Sequence, residues 1–193
     1  MKAIIFLADG FEDMEALATR DVLHRGGVEV LTVSLIEDWQ VDSSHGVTII
    51  ADMSWPDFRS DITLESDDVM IFPGGMPGSR NLAANSELMD LMKAHYTAGG
   101  TLAAICAAPG LVLSQLDHLE GKRFTCFEGF QDALIAKGAV FTPEPAVIDS
   151  TPSADGTIIT GRGAGHAIAF GLAILEHLKG SEAVAKVRSG LML

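Results

Sequence analysis

Apolar residues fall along this chain in short unbroken runs separated by stretches of helical period, and that alternation predicts a parallel sheet layered between helices. Ala3 to Ala8 is the first run, with no polar position inside it, as in a strand buried on both faces. Asp9-Gly10-Phe11 then turns into a helix whose Leu17, Val22 and Leu23 make an apolar stripe. Asp13 and Glu15 sit near its positive amino end and Gly26-Gly27 stops it. A second strand spans Val28 to Leu35, an edge strand is expected over Gly46 to Ala51, and Trp55-Pro56 with the acidic residues after it reads as surface. Val69 to Phe72 is a short buried strand ending in Pro73-Gly74-Gly75. A helix follows over Ser86 to Ala98, capped by Ser86 and spaced on Leu88, Leu91, Met92 and Tyr96. Thr101 to Ile105 is the next strand and Ala107 to Leu116 the next helix. Short strands over Gly138–Phe141, Val147–Ile148 and Thr157–Thr160 lead to a helix over His166–Leu178 and a short terminal helix after Gly180.

Composition narrows the class. The 193 residues are 48% hydrophobic and 20% charged, which excludes a disordered chain, and with no linker or repeat visible a single α/β domain over 1–193 is expected. Thirteen Lys+Arg against 26 Asp+Glu give a formal charge of −13, so neither nucleic acid nor an anionic membrane surface is expected as a partner. The apolar stretch before Asp9 is too short for a secretory signal, and the uncharged stretch from Ala94 to Leu116 is broken by glycine, proline and polar residues, so a cytoplasmic protein without a membrane span is expected. Two cysteines, Cys106 and Cys126, make neither a disulfide framework nor a four-ligand metal set. The six histidines, His24, His45, His95, His118, His166 and His177, show no ligand spacing with them, and no metal site is expected. His166 reads as a solvent-facing residue at a helix start.

In a parallel α/β sheet, ligands bind beyond the carboxyl ends of the strands. Three such ends stand out: Asp9-Gly10-Phe11-Glu12, Pro73-Gly74-Gly75, and Cys106 after Ala103-Ala104-Ile105. Cys106 with small residues two before and two after, Ala104 and Ala108, has the pattern of a nucleophile elbow, where the turn forces backbone segments close together. A following helix would lower the thiol pKa. Gly74 and Gly75 would offer backbone N–H groups to a substrate oxyanion. The Gly74-Gly75-Met76-Pro77-Gly78-Ser79 string lacks the lysine of a P-loop, and the glycines at 161, 163 and 165 come too late for a dinucleotide fingerprint.

Glu15, Pro73-Gly74-Gly75, Ala103 to Pro109 and Arg162-Gly163-Ala164-Gly165 together resemble the ThiJ/PfpI superfamily, in the branch of the parkinsonism-associated deglycase. The resemblance implies a flavodoxin-like three-layer sandwich with a mostly parallel sheet, as in class I glutamine amidotransferases, and a homodimer. It implies Cys106 as the nucleophile and Glu15 as its protonated carboxyl partner, with Gly74, Gly75, Ala107 and Gly163 around the substrate and no cofactor. Where the branch has a histidine near the cysteine this chain has Cys126. His45 replaces an arginine, Ala164 a proline, and Asp21 and Arg25 match positions near the dimer and active site. Cys126 suggests a resolving thiol for an oxidised Cys106.

The peptidase pattern needs a histidine where Ala107 stands, and the amidotransferase pattern needs a His-Glu order that Glu176-His177 reverses. The leading expectation is a thiol enzyme acting on a small reactive aldehyde such as methylglyoxal, or on a glycated protein. The alternatives are an oxidative-stress thiol sensor or chaperone without a dedicated substrate, and a protein associated with thiazole monophosphate (thiamine) synthesis.

Overall fold

The computed structural model describes residues 1–149, 151 and 155–193. In chain order its elements are β1 (Lys2–Leu7), α1 (Asp13–Arg25), β2 (Glu29–Ser34), β3 (Gln40–Asp42), β4 (Thr48–Ile50), β5 (Met53–Ser54) and α2 (Trp55–Asp61). Next come β6 (Val69–Phe72), α3 (Gly78–Ala84), α4 (Ser86–Thr97), β7 (Thr101–Ile105), α5 (Ala108–Leu111), β8 (Arg123–Phe124) and α6 (Asp132–Ile135). The chain finishes with β9 (Val140–Phe141), β10 (Ala146–Ile148), β11 (Ile158–Gly161) and α7 (Ala167–Gly190).

Seven strands form one sheet in the order β10-β11-β7-β6-β1-β2-β5, parallel throughout except for β10 at one edge. The period-2 alternation of each strand splits its side chains between two cores. Ile4, Phe6, Met70, Phe72, Leu102 and Ala104 point into a layer with Phe58, Leu88, Met92 and Val112 from α2, α4 and the segment after α5. Ala3, Ile5, Leu7, Val69, Ile71, Ala103 and Ile105 point the other way, against Val22 and Leu23 of α1 and Phe170 and Leu175 of α7. This is the three-layer flavodoxin-like α/β architecture, and the runs expected to be buried on both faces are.

Several local expectations are corrected. The strand over Gly46–Ala51 is not an edge of the main sheet: β4 pairs antiparallel with β3 in a separate hairpin, and β5 forms the edge. The segment over Gly138–Phe141 likewise lies outside it, β9 pairing with β8. Trp55 is not surface but buried at the start of α2. Its indole stacks on Phe58 at 5.8 Å, and Ser54 and Asp57 close a reciprocal cap around it. Asn85, rather than Ser86, caps α4 by accepting from the Leu88 N–H at 2.9 Å. Leu17 leaves the stripe of α1 and is exposed. The helix over Ala107–Leu116 divides into the single turn of α5 and a 3₁₀ turn at Leu113–Gln115. Helix α7 runs to Gly190 through a break at Gly180, whose φ of 78° is a left-handed value that favours glycine, so a terminal helical segment does follow it.

Phe6 packs against Phe58 at 5.4 Å, Phe72 at 5.7 Å and Trp55 at 6.2 Å between ring centres. Phe6→Ala should therefore cost about 3–5 kcal/mol, read as a lower urea midpoint at unchanged slope.

Candidate active site

The strand ends converge as the topology requires, because β1, β6, β7 and β11 are adjacent and parallel. Cys106 leaves β7 with φ at 64°, a left-handed value unusual for a residue with a side chain. Two backbone hydrogen bonds hold it there: its N–H donates to Gly161 O at 3.0 Å, and its carbonyl accepts from the Phe127 N–H at 2.9 Å. Ala104 and Ala108 are fully buried beside it, so the small residues flanking the elbow are there for close packing. Such a conformation costs roughly 1–3 kcal/mol and persists only where its surroundings over-determine it.

Glu15 comes from the first turn of α1 but is 1% exposed. Its Oε2 accepts from the Gly74 N–H at 2.7 Å, and its own N–H donates to Glu12 Oε2 at 2.7 Å. Gly74 is the gap through which carboxyl and thiol meet. A Cβ there would press on Glu15 Oε2, would stand 2.6 Å from Cys106 Cβ, and would touch Cys106 Sγ at 3.1 Å. Gly75, at φ 87°, could carry no side chain either, since a Cβ would lie 2.5 Å from Gly10 O. The Gly75 and Ala107 N–H groups favour the ionised form of Cys106.

Burial pushes the Glu15 carboxyl from its ordinary 4.5 up to about 7, against the contacts with Cys106 and Gly74 that favour its charge. Burial and the neighbouring Glu15 charge push the Cys106 thiol up to about 12. The expected lowering of the thiol pKa is thus reversed. Helix α5 is one turn long and brings little dipole, while two anions cannot share so dry a site. The pair gives up one proton near neutrality and resists giving up a second.

The remaining residues divide. Gly163 lies against Phe127, which a Cβ on it would meet at 3.4 Å, in an open cleft of about 340 Å³ shared with Arg162, His166 and Glu128. His166 is half-buried and borders this open cleft. His45 is at the rim, with Nδ1 2.8 Å from Asp13 Oδ1. Cys126 is fully buried and packs in the layer of Phe124 and Val112, while Cys106 packs against the α1–α7 layer, so the two thiols belong to opposite cores. Both are free. Asp21 and Arg25 lie toward the far end of α1 and bind each other at 2.7 Å on the surface. His177 bonds to Thr101 at 3.0 Å, at the opposite end of β7 from Cys106, which removes it as an amidotransferase base. Glu12 stood out only as part of a strand end, with no role assigned to it, and Phe127 not at all. The Glu12/Glu15 spacing at the helix start was the signal for the first, and nothing local marked the second.

A model of the DJ-1/PfpI family matches residues 1–177. The chain is 36% identical to protein dj-1beta of Drosophila melanogaster over 99% of its own length and 96% of that protein. The crystal structure of Drosophila DJ-1beta superposes with a TM-score of 0.85 at 34% identity, covering 100% of this chain and 99% of that one. Protein DJ-1 homolog B of Arabidopsis thaliana is 35% identical over 100% of this chain, which spans only 41% of that longer protein. The Caenorhabditis elegans protein named glutathione-independent glyoxalase DJR-1.2 is 31% identical over 93% of this chain and 89% of its own. Among the described residues no helix is long and apolar enough to cross a membrane.

Because Glu15 titrates near 4.5 unfolded and about 7 folded, its contribution to stability is complete below pH 4.5 and is lost as pH rises through 7. The full loss is about 3 kcal/mol. Glu15→Gln should therefore gain stability relative to the parent between pH 4 and pH 8, by up to that amount, in urea titrations at the two pH values.

Proposed function

The chain belongs to the DJ-1/PfpI family, and on that premise we propose that it is a cofactor-independent cysteine enzyme that turns reactive 2-oxoaldehydes such as methylglyoxal, or their adducts on proteins, into hydroxy acids. The observation that carries this reading is the buried Glu15, held against Cys106 with a pKa of about 7. A carboxyl group poised at neutrality can take a proton and return it within one turnover.

In the proposed cycle the Glu15 carboxylate takes the Sγ proton as Cys106 attacks the aldehyde carbon, and the resulting alkoxide accepts hydrogen bonds from the Gly75 and Ala107 N–H groups. Glu15 passes the Sγ proton on to that oxygen, which gives a hemithioacetal and leaves Glu15 ionised again. Glu15 then removes the hydrogen from the former aldehyde carbon and returns it to the neighbouring ketone carbon, while the hydroxyl proton passes to the ketone oxygen, leaving a thioester of a 2-hydroxy acid. Water hydrolyses the thioester, releasing the acid and restoring the thiol. The sum is aldehyde plus water to hydroxy acid, with no external oxidant or reductant. A high thiol pKa is compatible with this cycle, because the thiol ionises only as it attacks. It disfavours the peroxide-sensor reading, which needs a standing thiolate. The worm relative's name, a glutathione-independent glyoxalase, describes the same class of chemistry.

Two features of the setting go with this proposal. A homodimer would cover Met14 and Leu17 on α1 together with Val47 and Ile50 on the β3–β4 hairpin, all exposed apolar side chains. A reducing cytoplasm would keep both thiols free.

Cys106→Ser should abolish hydroxy acid formation from methylglyoxal followed by proton NMR, and Glu15→Gln should lower kcat by roughly 10²–10⁴-fold. In the parent, kcat/KM should rise with pH through about 7 as Glu15 ionises. Undiminished turnover by Cys106→Ser would overturn the proposal.

A further inference from the structure

Glu15 does not face Cys106 alone. Glu12 is tied into the site twice: its Oε2 accepts from the Glu15 N–H at 2.7 Å, and its N–H donates to Gly74 O at 3.0 Å. Gly74 is the residue whose own N–H holds the Glu15 carboxyl. The other oxygen of Glu12, Oε1, lies 3.8 Å from His45 Nδ1. His45 Nδ1 stands 2.8 Å from Asp13 Oδ1 and 3.3 Å from Ser44 Oγ. The turn of the β3–β4 hairpin that carries His45 is fastened to the head of α1, with the Ser44 N–H donating to Phe11 O at 2.8 Å and the Gly10 N–H to Asp42 O at 2.7 Å.

The other charged groups nearby are otherwise engaged. Asp9 accepts from the Asp42 N–H at 3.0 Å, and the Asp42 carboxylate accepts from the Thr48 hydroxyl. From β6 and β7 the groups facing Glu15 are Gly74 and Cys106. From α7, the residue against Thr19 and Val22 of α1 is Gly171, which brings no charge. Glu12 is thus the charged neighbour that opposes ionisation of Glu15, and His45 is the cation within reach of Glu12.

We propose that His45 is a positioning residue for the Cys106–Glu15 pair: its proton, held between Asp13 and Glu12, sets through Glu12 how readily the pair gives up its first proton. This rests on the Cys106–Glu15 chemistry proposed above and adds a control that lies in neither reacting group. With His45 charged, the negative charge of Glu12 is offset and Glu15 ionises more easily. When the His45 proton leaves, Glu12 stands uncompensated and Glu15 holds its proton longer. The hydrogen bond and charge of Asp13 raise the His45 pKa above its ordinary value, and loss of the His45 proton within the range over which the pair ionises spreads that ionisation more widely than a single group would show. An arginine at this position would hold a fixed charge; histidine makes the setting depend on pH.

The test is the pH profile of Cys106 alkylation by iodoacetamide in the full chain, with the modified residue located by mass spectrometry. His45→Gln removes the charge and should move the midpoint up. His45→Arg makes it permanent and should move the midpoint down, each by roughly half a pH unit. The parent should follow the arginine variant at low pH and the glutamine variant at high pH, giving a broader curve than either. Glu12→Gln keeps an acceptor for the Glu15 N–H, should lower the midpoint, and should leave His45→Gln with nothing further to shift. Superimposed curves for the parent and both His45 variants would overturn the proposal, as would a His45→Gln shift undiminished in the Glu12→Gln background. Methylglyoxal turnover is a separate readout. Shifted curves without turnover retain the His45 control and remove the enzyme reading, and turnover with superimposed curves does the reverse.

Discussion

A carboxyl and a thiol held together out of water, sharing one negative charge across a glycine, is the constraint on which the site depends. Neither group can ionise beside the other anion, so the first proton leaves near neutrality and the second is retained. Gly74 makes the approach possible because a single added carbon would occupy the space where Glu15 and Cys106 meet. Its N–H and carbonyl are both used, one on Glu15 Oε2 and the other on the Glu12 N–H. Removing water from the pair raises the cost of each charge, and the same exclusion makes each backbone donor at Gly75 and Ala107 worth more.

The architecture keeps these groups in register. Glu15 is on α1, which α7 presses against the sheet, while Cys106 continues β7 and Gly74 follows β6. Parallel pairing of β6 with both β1 and β7 brings their carboxyl ends to one edge, and pairing of β7 with β11 supplies the Gly161 carbonyl that holds the strained cysteine. The left-handed turn at Cys106 is thereby stabilised by contacts from two strands and the Phe127 segment. A nucleophile presented on such a turn is exposed to substrate while its neighbours stay packed.

The DJ-1/PfpI family match extends over residues 1–177 and so over the elements that build the site. Cys126 and His45, the two positions read from the sequence as departures from the related branch, lie in different surroundings. Cys126 is sealed in the core opposite to that of Cys106, so its effect is one of packing. His45 is exposed to solvent and in contact with acidic groups that lead to Glu15, so its effect is electrostatic.

Much of this was legible in the order of residues. Runs such as Ala3–Ala8 and Val69–Phe72 show burial on both faces because strand periodicity is local. The Ala104, Cys106 and Ala108 spacing marks the elbow because close packing at a turn admits only small neighbours. What was not legible depends on distant segments meeting. The burial of Trp55 requires Phe6 and Phe58 beneath it, and the detachment of the β3–β4 hairpin depends on where β5 docks. The reversal of the Cys106 pKa is decided by burial and by a carboxylate 91 positions away in the chain. The sequence by itself determined most of the strand-and-helix order and marked Cys106 at the elbow, since both follow from local pattern and spacing, while Glu15 was singled out by the family resemblance. Only the tertiary structure decided their charges, because ionisation depends on the water and the other charges that the folded chain removes from, or brings to, each group.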